Sequence, residues 1–329
     1  MPFNLKGRSF LTLKDFSNRE IKHLLELAKQ LKLLKYAGIQ KKVLQGKNIA
    51  LIFEKASTRT RCAFAVACTD EGAHPEFLNK NDIQLGKKES PADTAKVMGR
   101  YFDGMEFRGF SHETIEILAK NAGVPVWNGL TDMYHPTQVL ADFLTIEEHL
   151  GYLKGCKLAF VGDARCNTAN SLLIGAAKMG LDFRMAAPES LLPDEEIVAY
   201  ARGIAEENHA KISISSEVTP AIEGVDAIYT DVWVSMGEEH LLAERIKLLR
   251  PYQVDMKMVA DTGNPSVLFL HCLPAFHDLH TEIGRDVYEK FGLKEMEVTD
   301  EVFQSQHSVV FDQAENRMHT IKAVMIATM

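Results

Sequence analysis

Short apolar runs alternate with helical patterns along most of this 329-residue chain, and that alternation restricts the fold more than any other feature. In the first half the expected strands are Asn48–Phe53, Glu76–Leu78, Met105–Arg108 and Pro125–Trp127. The second half repeats the pattern at Lys157–Val161, Asp182–Ala186, Lys211–Ile214, Ala227–Thr230 and Leu268–His271. Strands separated by helices imply parallel sheets with helices on both faces. The length exceeds that of an ordinary single core, so two domains are expected. Their boundary falls near Gly151-Tyr152-Leu153-Lys154-Gly155, between an expected helix, Pro136–Leu150, and a fresh strand. The fold class is therefore α/β: two doubly wound parallel-sheet domains of similar size, 1–150 and 151–317, joined by interdomain helices. In such sheets ligands gather at the carboxyl ends of the strands.

The first clear element is a helix from about Asn18 to Leu34. Ser17 and Glu20 form an S-x-x-E capping box, with Phe16 and Ile21 placed as a hydrophobic staple. Its apolar face runs through Ile21, Leu24, Leu25, Ala28 and Leu31.

Composition removes several functional classes. At 46% hydrophobic and 25% charged residues the chain falls outside the disordered range. A net charge of −8 gives no electrostatic footprint for nucleic acid, so the cations for any anionic substrate must be gathered locally. No apolar run approaches membrane-spanning length, and Met1–Lys14 lacks the apolar core of a secretory signal. Five cysteines, odd in number and without C-x-x-C spacing, read as a reduced, cytoplasmic chain.

The motifs sit where the strands end. Strand Asn48–Phe53 runs into Ser57-Thr58-Arg59-Thr60-Arg61 and then a helical stretch, Cys62–Cys68. A helix N-terminus carries unsatisfied N–H groups and favours phosphate, while arginines add charge-assisted bidentate bonds. The plainer reading is a well-capped helix with surface arginines, one of them paired with an acid. Arg108 ends another strand and either faces a ligand or pairs with Glu106 or Glu113. His135-Pro136-Thr137-Gln138 opens a helix, where His135 is a ligand group or only a cap. Gln84 lies in a polar loop with Lys87 and Lys88, which also reads as solvated surface.

In the second half, the turn Gly162-Asp163-Ala164-Arg165-Cys166-Asn167 holds a single glycine, so a dinucleotide fingerprint is absent. Asp231 ends a strand, as a partner for an ammonium group or as a turn cap. His271-Cys272-Leu273-Pro274 offers one cysteine and scattered histidines, short of paired zinc ligands. Cys272 is also a candidate nucleophile, but no base is evident. Arg317 either reaches a substrate oxygen or pairs with Asp312 or Glu315.

Taken in order, S-T-R-T-R at 57–61, H-P-T-Q at 135–138, D-V-W-V-S-M-G at 231–237 and H-C-L-P-A at 271–275 resemble the ornithine carbamoyltransferases. The likeness extends to F-E-K before the first motif and to F-D-Q-A-E-N-R-M-H near the C-terminus. It implies transfer of the carbamoyl group of carbamoyl phosphate to the side-chain amine of L-ornithine, giving L-citrulline and phosphate, in arginine metabolism. It implies no cofactor, and a trimer or multiple of trimers with sites at subunit interfaces; no metal is expected, since no second ligand pair is visible. It also implies that carbamoyl phosphate binds first and that the domains then close.

By the same resemblance, 1–150 binds carbamoyl phosphate, the C-terminal helix (about 318–329) packs back on it, and 151–317 binds ornithine. Ser57, Thr58, Arg59, Thr60, Arg61 and Arg108 would hold the phosphate. Thr60, Arg108 and His135 would donate to the carbamoyl oxygen. Gln138 and the carbonyls around Cys272 and Leu273 would hold its NH₂, with Leu273–Pro274 cis. Arg317 would complete the pocket and Gln84 would reach in from a neighbouring subunit. Asn167, Asp231, Ser235 and Met236 would bind ornithine, with Cys272 beside the reacting amine. Members commonly carry two asparagines where this chain has Cys166-Asn167. A carbamoyltransferase for another amine, such as putrescine or acetylated ornithine, would show an altered S-M-G loop. A non-catalytic relative would show gaps in the arginine cluster. Neither departure is present.

Overall fold

The computed structural model describes residues 4–234 and 237–329. Its helices and strands run α1 (Asn18–Tyr36), β1 (Asn48–Phe53), α2 (Thr58–Asp70), β2 (His74–Asn79), α3 (Pro91–Tyr101), β3 (Gly104–Arg108), α4 (His112–Ala122), β4 (Val126–Leu130) and α5 (Pro136–Leu150). There follow β5 (Lys157–Val161), α6 (Asn167–Met179), β6 (Asp182–Ala186), α7 (Glu195–Asn208), β7 (Lys211–Ser215), α8 (Val218–Ile222) and β8 (Ala227–Thr230). The chain ends with α9 (Leu242–Leu249), α10 (Met256–Asp261), β9 (Leu268–His271), α11 (Glu282–Phe291), α12 (Asp300–Phe303) and α13 (Val310–Thr328). Two compact units divide it: Met1–Leu144 with Ala314–Met329, and Thr145–Gln313. Both are α/β units built on parallel sheets, as the alternation requires.

In the first unit the strand order is β2-β1-β3-β4 and every pairing is parallel. Chain direction along the sheet reverses between β1 and β3, whose last residues, Phe53 and Arg108, are paired. That reversal opens a crevice at the carboxyl ends of the two strands. β3 and β4 are buried along their whole length, which suits strands covered on both faces. β2 is longer than its apolar core suggests, because Pro75 sits in an edge strand, where a missing N–H is tolerated. β4 also runs beyond the expected Trp127. A register shift at Phe107/Arg108 sets Arg108 opposite Leu130.

The C-terminal helix belongs to this unit through specific bonds. Trp127 Nε1 donates to Thr328 Oγ1 at 2.9 Å, and Lys322 Nζ donates to Asp70 Oδ2 at 2.7 Å. The start of α1 follows its sequence signature. The Ser17 hydroxyl accepts from the Glu20 N–H at 3.3 Å, and the Ser17 N–H donates to Glu20 Oε2 at 2.8 Å. Its buried face is Ile21, Leu24, Leu25, Ala28 and Leu31.

In the second unit the order is β7-β6-β5-β8-β9, again all parallel. Here the direction reverses between β5 and β8. The turn after Val161 and the residue after Thr230 therefore face the same end of the sheet. Trp233, Leu249, Val254 and Phe269 pack into the core on one side of it.

The capping box yields a stability prediction. Ser17→Ala should destabilise the first unit by about 1 kcal/mol, the usual cost of an N-cap, read as a lowered denaturation midpoint. Unchanged stability would mean that packing of the apolar face alone sets where α1 begins.

Candidate active site

At the carboxyl end of β1 the chain turns into α2, with Ser57 as its N-cap and the Ser57 hydroxyl accepting from the Thr60 N–H at 3.3 Å. The next residue to matter, Thr60, is buried, and its side-chain oxygen is a meeting point. Arg108 Nη1, from the end of β3, donates to Thr60 Oγ1 at 3.2 Å and to the Gly129 carbonyl at 3.4 Å. Arg317 Nη2, from α13, donates to the same Thr60 oxygen at 3.1 Å and to Thr137 Oγ1 at 3.3 Å. Arg317 Nη1 donates to Gln138 Oε1 at 3.0 Å. Both arginines are buried, as are His135, Thr137 and Gln138. Asp312 and Glu315, the acids in reach by sequence, bond elsewhere: Asp312 to His149, Glu315 to Tyr36 and His319.

Two titratable groups in this cluster are held neutral. Burial pushes the Glu106 carboxyl well above its usual 4.5, and the opposing pull of Arg108 and then Arg317 does not overcome it. Among the described residues neither oxygen of Glu106 has a hydrogen-bond partner. Any side chain at Gly129 would crowd this carboxyl, since a Cβ there would lie 1.9 Å from Glu106 Oε1. Burial also carries His135 well below 6.5, helped by the charges of Arg317, Arg108 and Arg59. A neutral imidazole donates from one ring nitrogen and accepts at the other.

The remaining phosphate candidates are placed differently. Thr58 is exposed and Arg59 half-buried in the first turn of α2. Arg61 is exposed, with its guanidinium 3.5 Å from the centre of the Phe77 ring, so the structure sets it on an aromatic face. Gln84 is exposed in a turn whose backbone oxygen accepts from Lys87, Lys88 and Glu89.

In the second unit the candidates also meet at strand ends. Asp231, after β8, accepts from Cys272 Sγ at 3.1 Å on Oδ1 and lies 3.9 Å from Cys166 Sγ on Oδ2. Its Oδ1 also accepts from the Val232 N–H at 2.8 Å, so the turn-cap role is filled by the same carboxylate. Cys166 is the N-cap of α6 and accepts from the Ala169 N–H at 3.4 Å. Burial, with Asp231 and Asp163 nearby, raises its thiol well above the usual value and keeps it protonated. Asn167 opens α6 and is half-buried. Ser235 and Met236 lie outside the described residues.

Asp231, His271 and Cys272 bring donor atoms within 4.8 Å of one another, as a metal site would. The imidazole is committed to the protein, however. His271 Nδ1 accepts from the Leu273 N–H at 2.8 Å, and Nε2 lies 3.3 Å from Glu297 Oε1. It therefore supports the backbone of Leu273, which has a left-handed φ of 59° and precedes a cis bond to Pro274.

Sequence reasoning did not assign Glu106 or Asp142 to the site. Glu106 reads as an ion-pair partner for Arg108, and only the depth of β3 shows it to be neutral. Asp142 stands one helical turn after Gln138, and its Oδ1 accepts from Gln138 Nε2 at 2.8 Å. The i, i+4 spacing from the H-P-T-Q motif was the available signal.

The neutral Glu106 predicts a pH signature. A carboxyl raised in the fold contributes fully below 4.5, its usual value, and loses that contribution as pH rises toward the folded value. Glu106→Gln should match the parent in stability below that window and gain on it by about 1.4 kcal/mol per pH unit within it. Denaturant midpoints of both proteins across pH test this; a constant difference would mean that Glu106 is ionised in the fold.

The sequence matches the family model for the carbamoyl-P binding domain of aspartate/ornithine carbamoyltransferase over residues 8–148 and that for its Asp/Orn binding domain over 154–328. It is 65% identical to the catabolic ornithine carbamoyltransferase of Bacillus licheniformis over 99% of this chain and 97% of the relative. To the corresponding protein of Streptococcus pyogenes serotype M1 it is 59% identical, over 98% and 96%. The fold superposes on ornithine carbamoyltransferase from Pyrococcus furiosus with a TM-score of 0.91 and 43% identity, covering 100% and 99% of the two chains. The anabolic enzyme of Campylobacter jejuni gives 0.86 and 38%, covering 97% of each. With the arginine–threonine cluster in one unit and the Asp231–Cys272 pair in the other, this chain belongs to the ornithine carbamoyltransferases of the aspartate/ornithine carbamoyltransferase family.

Proposed function

We propose that the first unit holds carbamoyl phosphate, that the second holds L-ornithine, and that the residues named below carry the transfer. The observation that supports this most directly is the convergence of two buried guanidinium groups on Thr60 Oγ1. Buried cations are costly unless an anion joins them, and a phosphate offers several oxygens to planar arginine donors.

In this reading Ser57, Thr58, Arg59 and Thr60 at the α2 N-terminus bind the phosphate together with Arg108, and Arg61 supports the turn through Phe77. The amine nitrogen of ornithine attacks the carbamoyl carbon while the bond to the phosphate oxygen breaks. The proton shed by nitrogen passes to the departing phosphate. Negative charge builds on the carbamoyl oxygen, where Thr60, Arg108 and neutral His135 donate. Gln138 and the backbone at Cys272 and Leu273 accept from the carbamoyl NH₂, and Arg317 fixes the Gln138 oxygen. Asn167, Asp231, Ser235 and Met236 bind the amino acid, with the Cys272 thiol orienting Asp231. Most of the acceleration comes from positioning and charge stabilisation, with no covalent intermediate on the protein.

Among the described residues, no helix is long and apolar enough to cross a membrane. We place the enzyme in the cytoplasm as a trimer, with Gln84 completing the site of a neighbouring subunit. The name of the Bacillus licheniformis relative favours a catabolic setting.

The test is citrulline formation from carbamoyl phosphate and ornithine, with putrescine and aspartate in parallel. Ornithine should be the amine used, and Arg108→Ala should lower kcat by about 10²–10³-fold, the usual cost of an oxyanion donor. Turnover of putrescine instead would overturn the assignment of the second unit. For pH, kcat/KM for ornithine should rise as its amine loses a proton. No loss should centre on the ordinary histidine range, because His135 is already neutral there. Mixing Gln84→Ala with Arg108→Ala subunits should restore activity in hybrid trimers; no restoration would place Gln84 outside the site.

A further inference from the structure

We propose that Asp142 is a positioning residue for the carbamoyl group, acting through the amide of Gln138. The inference rests on the reading of the first unit as the carbamoyl phosphate site.

Asp142 is 0% exposed, one turn after Gln138 on α5. Its Oδ1 accepts from Gln138 Nε2 at 2.8 Å, while Gln138 Oε1 accepts from Arg317 Nη1 at 3.0 Å. Asp142 Oδ1 accepts here and a guanidinium only donates, so the Gln138 amide fits between them in one orientation. Turning it over would set NH₂ against the guanidinium and oxygen against the carboxylate, losing both bonds at once. The two neighbours thus fix which end of Gln138 is presented beside Arg317, Thr60 and Arg108, and that end is the oxygen.

The consequence is chemical selection. An oxygen at this place accepts from the NH₂ of carbamoyl phosphate; an amide NH₂ there would meet it donor to donor. A site built to pair a substrate N–H rejects an analogue lacking it far more strongly than an apolar pocket rejects a missing methylene. Acetyl phosphate is that analogue, a methyl group replacing the amine on the same acyl phosphate. Asp142 therefore sets the preference for a carbamoyl over an acetyl group, and Arg108 and the α2 turn set affinity for phosphate in either.

The experiment measures binding of carbamoyl phosphate, acetyl phosphate and inorganic phosphate to the full-length parent, Asp142→Ala and Asp142→Asn, with KM and kcat alongside. In Asp142→Ala, carbamoyl phosphate should weaken by about tenfold, one hydrogen bond, while acetyl phosphate and inorganic phosphate stay within about twofold. Asp142→Asn keeps an acceptor in one of its two orientations, so its preference should fall between the other two proteins. Should the alanine variant not fold, the asparagine variant decides alone: a preference equal to the parent's overturns the proposal. Equal weakening of all three ligands overturns it as well, because a purely structural role would do that. Failure of the underlying reading looks different, since Arg108→Ala would then leave binding of all three phosphates unchanged.

Discussion

Arg108 and Arg317 come from distant parts of the sequence and donate to one hydroxyl oxygen, that of Thr60. Much of the first unit serves this arrangement. Parallel order β2-β1-β3-β4 places the end of β3 beside the end of β1, so Arg108 stands next to the turn that carries Thr60. The return of α13 to the first unit, held by Lys322 on Asp70 and by Thr328 under Trp127, delivers Arg317. Two buried cations so close together repel. The fold limits the cost by spending neutral oxygens on them, from Thr60, Thr137, Gln138 and the Gly129 carbonyl. It also keeps Glu106 and His135 uncharged beside them. An ionised Glu106 would neutralise the cluster internally and compete with an anionic ligand for the same guanidinium groups.

The second unit presents the opposite arrangement, an acid at a strand end with no guanidinium bonded to it among the contacts described above. Asp231 is buried at the end of β8, and its carboxylate is held by the Val232 N–H and the Cys272 thiol. A thiol is a weak donor, so it orients the Asp231 side chain without bringing an opposing charge to it. Cys166 lies against the other oxygen while capping α6, and burial keeps that thiol protonated. The His271 imidazole, which by composition resembles a metal ligand, instead supports Leu273 in a left-handed backbone conformation.

The sheets were legible because their causes are local. Apolar runs bounded by turn residues located the nine strands of the described residues, and the S-x-x-E signature located the start of α1. The ends of β2 and β4 were less legible. Pro75 is acceptable only because β2 proves to be an edge, and the extension of β4 depends on a register shift against β3. In the site, Arg108, His135, Gln138 and Arg317 were legible from motifs, yet their partners were not. Arg317 has two acids within reach along its helix, and both are taken by other residues in the fold. Arg59 and Arg61 are two positions apart on a helix and so face different ways, which places only Arg61 on Phe77. The charge state of Glu106 is a property of depth, and depth is what a linear pattern reports least well.

A net charge of −8 and an anionic substrate oppose each other, but the two act on different length scales. Exposed charges are screened over about 8 Å at physiological salt, so the general negative field fades quickly in solvent. The guanidinium groups of Arg108 and Arg317 are buried, where screening is weak and a bond to any anion would count for more. What decides affinity is therefore the local balance, and the cluster preserves it by protonating Glu106 rather than pairing it. What decides selectivity is the direction of uncharged dipoles. Asp142 supplies the acceptor that this requires: bonded to Gln138 on its far side from Arg317, it orients an amide instead of quenching a cation. Two acids near one cationic site thus divide the work, one kept neutral so the charge remains available, the other fixing which end of an amide accompanies it.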